Sequence, residues 1–163
     1  MKESLKALYE YAEGITDINY RLRSGTFTDE TMRISRRISK LESFMRLPIL
    51  YRGTLWDDFS GDYGITRENI HSMLGRIIVD RGYLSTSTDR EVPFRMYPID
   101  KDTLFMRILS KGKHRAIDVN GLLGSQSPSP SQKEILLGRN TKFRLLRMTE
   151  IKGITHIDVE LKS

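Results

Sequence analysis

The stretch Pro48-Ile49-Leu50-Tyr51-Arg52-Gly53 is where the chain changes its period, and that change sets the fold class. Before it, apolar residues recur at helical spacing. From Ile49 a short apolar run ends in Arg52 and Gly53, the pattern of a strand closed by a turn. Helices followed by a run of strands, with no regular alternation of the two, predict one α+β domain.

Working upstream, Leu5, Leu8, Ala12 and Ile15 mark a first helix, with Gly14 as a weak point near its end. Ile18 and Leu22 mark a short second one closed by Ser24-Gly25. Thr28 is placed to cap a third, with Asp29 and Glu30 in the first turn, where the helix dipole favours negative charge. On that helix Ile34, Ile38, Leu41 and Met45 form an apolar stripe, with Arg33, Arg36, Arg37 and Lys40 as a basic stripe beside it, and Pro48 is the expected stop.

Downstream, Thr66 is expected to cap a strong helix with Ile70, Met73, Leu74, Ile77 and Ile78 on one face, ending near Gly82. The remainder reads as strands over residues 83–87, 103–109, 115–119, 134–137, 141–148 and 154–161, with Gly138 and Gly153 as breaks. Residues 125–131 (SQSPSPS) hold two prolines and four serines and are expected as an exposed loop with neither helix nor strand. The sheet system is expected to be mostly antiparallel.

The 163 residues, 38% of them hydrophobic, suffice for a single domain with a substantial core. There is no cysteine, so disulfides, thiolate chemistry and Cys-type zinc sites are excluded. His71, His114 and His156 are far apart and lack ligand spacing, so no metal is expected. No apolar run approaches the roughly 20 residues that span a bilayer, and the first residues do not read as a secretory leader. A net charge of +6 favours an anionic partner or simply solubility, and charge alone does not choose.

Three segments carry candidate chemistry. In Tyr51-Arg52-Gly53 an arginine at a strand end is followed by a glycine that admits close approach, which suits a phosphate clamp or an ordinary solvated cation before a turn. In Gly82-Tyr83-Leu84-Ser85-Thr86-Ser87-Thr88, strand alternation puts Ser85 and Ser87 on one face and Thr86 and Thr88 on the other. Such a row holds a carboxylate or a ribose, or is a half-exposed strand of β-formers. In Gln132-Lys133-Glu134-Ile135-Leu136-Leu137, an amide and a carboxylate share one strand face, as a catalytic pair or as the polar edge of a buried strand.

Taken in order, Tyr-Arg-Gly, Gly-Tyr-x-Ser-Thr-Ser and Gln-x-Glu-Ile-Leu-Leu resemble the Arg–Ser–Glu branch of the mono-ADP-ribosyltransferases, which includes many bacterial toxins. The resemblance spans nearly the whole chain. It implies an ADP-ribosyltransferase-like domain over residues 1–163, with a helical lobe at 1–47 and an NAD-binding, mostly antiparallel two-sheet β core at 48–163. It also implies NAD as co-substrate, without a metal. In that reading Arg52, beside Gly53, binds the pyrophosphate. Ser85 holds Glu134 and helps bind the nicotinamide ribose, and Thr86 and Ser87 shape the pocket. Glu134 hydrogen-bonds the ribose and stabilises the oxocarbenium-like state as nicotinamide leaves. Gln132 touches the acceptor, and Phe94 and Arg95 fall in a loop that covers nicotinamide and phosphate.

Relatives that modify arginine carry a glutamate where this chain has Gln132, and an amide cannot reproduce the charged paired contact to a guanidinium. The resemblance therefore implies a macromolecular acceptor other than arginine: an asparagine, glutamine or threonine side chain, with a nucleic-acid base in RNA or DNA as the alternative. Rho-modifying relatives usually place an aromatic residue just before the glutamine, and residues 125–131 have none. Two further readings stay open: an NAD glycohydrolase with water as acceptor, and a non-enzymatic nucleic-acid-binding module using the basic helix. The lack of a leader and of cysteine fits a cytoplasmic toxin-like effector, phage-borne or paired with an antitoxin or immunity protein. It fits equally a toxin domain delivered by separate machinery.

Overall fold

The computed structural model describes residues 1–14 and 17–163. Three helices open the chain: α1 (Lys2–Ala12), α2 (Ile18–Ser24) and α3 (Asp29–Ser39). The expected place of Ile15 on the first lies outside the described residues. Gly25 closes α2 at φ 76°, a left-handed conformation that only glycine adopts at little cost. Thr28 caps α3 as expected, its hydroxyl accepting from the Thr31 N–H at 3.0 Å.

The third helix is shorter than its apolar stripe predicts. Its last turn tightens as the Leu41 and Glu42 N–H groups bond three residues back, to Ile38 and Ser39. Met45 then lies in strand β1 (Ser43–Arg46), an edge strand paired with β6 (Lys113–Asp118), and Pro48 plays no part in ending the helix.

After β2 (Leu50–Leu55) come α4 (Trp56–Tyr63), which the sequence did not signal, and α5 (Ile70–Met73). The long helix expected from Thr66 to Gly82 is not formed. Gly75 breaks it at φ +86°, its N–H bonding the Leu145 carbonyl at 2.6 Å. Ile77–Asp80 becomes β3, antiparallel to β8 (Thr141–Ile151). The spacing of Ile70, Met73, Ile77 and Ile78 mimics a helix, but two elements meeting at a left-handed glycine supply it.

The other strands are β4 (Leu84–Ser87), β5 (Thr103–Leu109), β7 (Glu134–Leu137) and β9 (Ile154–Lys162), with short helices α6 (Glu91–Met96) and α7 (Val119–Leu123) between them. Residues 125–131 form no strand but hold parts of two single 3-10 turns, and Ser127 is buried, so the segment is more ordered than an exposed loop.

Strand order is β1-β6-β7-β4-β2-β5-β9-β8-β3, antiparallel except for β5 beside β9. The only registered pair between β4 and β2 is Tyr51 with Ser87, so the sheet divides there into four-stranded and five-stranded halves. Alternation along β6 and β7 decides the layers. Ala116, Ile135 and Leu137 join a core with Leu104, Met106, Phe143 and Ile157 of the other half. Ile117 and Leu136 point the opposite way and pack with Leu8, Ile18, Leu22, Ile38 and Tyr83 under the helices. The four-stranded half is thus covered on both faces, and the loose seam between the halves is left open to carry a site.

Candidate active site

Glu134 and Ser87 are register partners on β7 and β4, and Ser85 faces Leu136 two residues along, so the three residues gather beside the seam. The Tyr11 hydroxyl on α1 lies 3.1 Å from the Ser85 hydroxyl. Asn19 donates to the Tyr11 oxygen at 2.7 Å, and its carbonyl oxygen accepts from the Tyr83 N–H at 2.8 Å. Tyr11 already accepts from Asn19, the Tyr11 and Ser85 hydroxyls are hydrogen-bonded to each other, and Ser85 is in turn hydrogen-bonded to Glu134.

Glu134 is buried enough that its carboxyl is pushed above the usual carboxylate range; the Ser85 hydroxyl and the Arg52 charge act against that push. Burial likewise raises the Tyr11 phenol, so it stays a neutral donor. Arg52 on β2 crosses the seam and donates through Nη1 to the Ser85 carbonyl at 2.9 Å.

Three hollows meet at Arg52. A small one of about 80 Å³ holds Ser85, Ser87, Gln132 and Glu134. A second, of about 500 Å³, adds Arg23, Tyr20, Thr54 and Asp58 toward α2 and α4. The third, of about 490 Å³, runs under α6 past Phe94, Phe105 and His156. An arginine shared by three adjoining hollows is placed to hold the middle of an elongated anionic ligand.

The other expected residues divide. Ser87 donates to the Gln132 carbonyl at 2.6 Å and accepts from the Asp89 N–H at 3.0 Å, tying both approaches to the site together. Thr86 is buried and donates to the Ile135 carbonyl at 2.6 Å. Gln132 ends a 3-10 turn, and Lys133 at φ 46° turns the chain into β7. Gly53 is needed for close approach: a Cβ there would come within 2.6 Å of the Tyr97 ring. Phe94 and Arg95 lie on helix α6 rather than on a loop. Phe94 packs on Phe105 at 4.6 Å in the outer groove, and Arg95 lies 3.7 Å from Asp89.

Four residues at the site carried no sequence signal of their role: Tyr11, Asn19, Arg23 and Tyr97. Arg23 is held by Asp80 at 3.0 Å and by the Tyr83 carbonyl at 3.0 Å, and it lines the same hollow as Arg52. Its partners lie 57 and 60 residues away, beyond any local pattern. Among the described residues there is no cluster of three or more His, Cys, Asp or Glu that could hold a metal, and no helix is long and apolar enough to cross a membrane.

Comparison with known proteins adds to this geometry. The family model described as ADP-ribosyltransferase exoenzyme matches residues 2–162. No curated protein matches the chain. Among solved structures, the chain is similar to Plx2a, an ADP-ribosyltransferase toxin from Paenibacillus larvae, at 21% identity and a TM-score of 0.78, covering 100% of this chain and 87% of that one. The Clostridium limosum C3 exoenzyme is 18% identical with a TM-score of 0.76, over 100% of this chain and 86% of that one. C3stau2 from S. aureus, solved with NAD, is 18% identical with a TM-score of 0.74, over 100% and 88%. At these identities the structures speak for the fold.

Proposed function

The chain belongs to the ADP-ribosyltransferase exoenzyme family, whose enzymes are NAD-dependent and toxin-like, and on that premise we propose that it transfers ADP-ribose from NAD to a non-arginine side chain of a protein. We place it in the Arg–Ser–Glu branch, with Glu134 as the catalytic carboxylate. The observation that carries this is the chain of hydrogen bonds from Asn19 through Tyr11 to Ser85, ending at a buried glutamate beside Arg52.

The chemistry asks little of acid catalysis, because nicotinamide leaves without being protonated. It needs a dinucleotide held in a strained shape and negative charge already in place where the ribosyl cation forms. Arg52 binds the pyrophosphate at the meeting point of the hollows, with Arg23 on the side toward α2. Glu134 accepts from a ribose hydroxyl and faces the carbon whose bond to nicotinamide breaks. Ser85, occupied on one side by Tyr11, holds that carboxylate in one rotamer. Ser87 acts from behind by pinning Gln132, and Thr86 shapes the pocket by tying β4 to β7. Phe94 and Arg95, on the helix that roofs the seam, close over the nicotinamide side.

Gln132 presents an amide where a carboxylate would be needed to grip a guanidinium, so asparagine, glutamine or threonine is the acceptor. A nucleic-acid base is the second reading, favoured by a basic hollow at the far end of β7. The test is labelled NAD incubated with the protein and a whole-cell lysate, followed by protease or nuclease. Label lost to protease and kept through nuclease supports a protein acceptor. The reverse assigns a nucleic acid, and nicotinamide release without label points to water.

A further inference from the structure

A fourth hollow, of about 350 Å³, lies between the ends of the two half-sheets, with Leu137 and Leu161 among its lining residues. Lys113 and Arg115 of β6, Arg139 of the β7–β8 turn and Lys142 of β8 surround it. None of these four has a carboxylate within ion-pair distance among the described residues, whereas Lys162 on the same rim is paired with Glu160 at 3.0 Å. Glu42 is half-buried against Gly138, and the Arg115 and Arg139 charges act on it.

Two more observations give the surface a character. Phe44 on edge strand β1 lines the hollow and is 62% exposed, with the Arg115 guanidinium 4.9 Å from its ring centre. Arg139 also donates to the buried Ser35 hydroxyl of α3 at 3.2 Å and to the Arg81 carbonyl at 3.3 Å. Of the basic stripe on that helix, Arg33 and Arg37 are matched by Glu30 and Glu3, while Arg36 and Lys40 have no such partner among the described residues.

We propose that the hollow formed by Phe44, Lys113, Arg115, Arg139 and Lys142 binds single-stranded nucleic acid. Unpaired cations at several heights track a phosphodiester backbone, and an exposed aromatic ring topped by a guanidinium is a stacking platform for a base. A concave site admits a splayed base, which neither a flat anionic membrane nor a rigid duplex supplies. Leu137 is three residues from Glu134, about 10 Å along the strand and on its opposite face, so the surface shares no residue with the reactive site.

The test is fluorescence anisotropy of a labelled 15-nucleotide oligouridine against salt concentration, with the full chain. About four backbone contacts give a slope of log affinity against log salt of about −3. Lys113→Glu with Lys142→Glu is expected to weaken binding at least roughly ten-fold, and Phe44→Ala by about 5- to 150-fold, the range for loss of one stacked base. Both variants should keep the wild-type rate of nicotinamide release from NAD, which separates this surface from the catalytic assignment and also reports folding. No binding at low salt, or binding that both variants leave unchanged, overturns the proposal. Loss of binding to phosphatidylserine vesicles in the charge-reversed variant, without any oligouridine binding, overturns it in favour of a membrane surface.

Discussion

The hydroxyls of Tyr11 and Ser85 stand 3.1 Å apart across 74 residues of sequence, and that contact ties the helical lobe to strand β4. Asn19 bonds both the Tyr11 hydroxyl and the Tyr83 N–H, so the helices do more than cover a sheet: they hold a partner against the Ser85 hydroxyl. Removing the Tyr11 hydroxyl tests this. Tyr11→Phe should lower stability by about 1 kcal/mol and leave Ser85 free to rotate. The turnover rate for nicotinamide release should fall several-fold while KM for NAD changes little. A variant that loses stability but keeps wild-type turnover would reduce Tyr11 to a packing role.

Glu134 gives a pH signature of definite sign. Its folded-state carboxyl is raised above the ordinary value of 4.5, chiefly by burial. The folded protein therefore holds this proton at pH values where the unfolded chain has released it. Stability from this group is present below the unfolded value and is lost as pH rises through the folded one. Glu134→Gln should melt higher than wild type at pH 7 and approach it near pH 4, as buried functional carboxylates are costly to the fold. Thermal melts across that range check it; a glutamine variant less stable at pH 7 contradicts it.

At Gly53, an added Cβ would meet the Tyr97 ring at 2.6 Å. Tyr97 borders both the Ser–Glu cavity and the hollow toward α2, so moving the ring disturbs the path between them. Gly53→Ala is expected to raise KM for NAD about ten-fold with a smaller effect on turnover, since binding geometry rather than the charge on Glu134 is altered. Steady-state nicotinamide release measures both constants.

Gln132→Glu is the specificity test. A second carboxylate beside Glu134 adds the paired acceptor that a guanidinium needs. Transfer to agmatine should appear in this variant and be absent from wild type, while the natural acceptor is modified at least roughly ten-fold more slowly. An unchanged acceptor profile would remove Gln132 from the contact assigned to it.

Much of this was legible in the sequence where local pattern and final structure agree. The stretches 103–109 and 134–137 were read to the residue because apolar runs bounded by polar or turn residues have few other solutions. The α+β class, helices first, followed from the change of period at Ile49. The seam residues Arg52, Ser85, Gln132 and Glu134, expected from three separate motifs, line one cavity. What failed was local pattern overruled by pairing: Ile77 and Ile78 were drawn into β3 by β8, and Met45 into β1 by β6. What was missed was long-range. Nothing near Tyr11 or Arg23 in sequence says that a strand 57 or more residues away supplies the partner.

The central claim is that Glu134 is the catalytic carboxylate of an NAD-cleaving transferase, and one measurement bears on it most directly. Nicotinamide release from NAD would be followed for wild type and Glu134→Gln, with NAD binding by calorimetry and melting temperature recorded on the same samples. The account predicts a loss of at least roughly 100-fold in turnover, the scale of a lost preorganised electrostatic contact, with NAD still bound and the fold intact. Wild-type turnover in a folded, NAD-binding Glu134→Gln protein would contradict it.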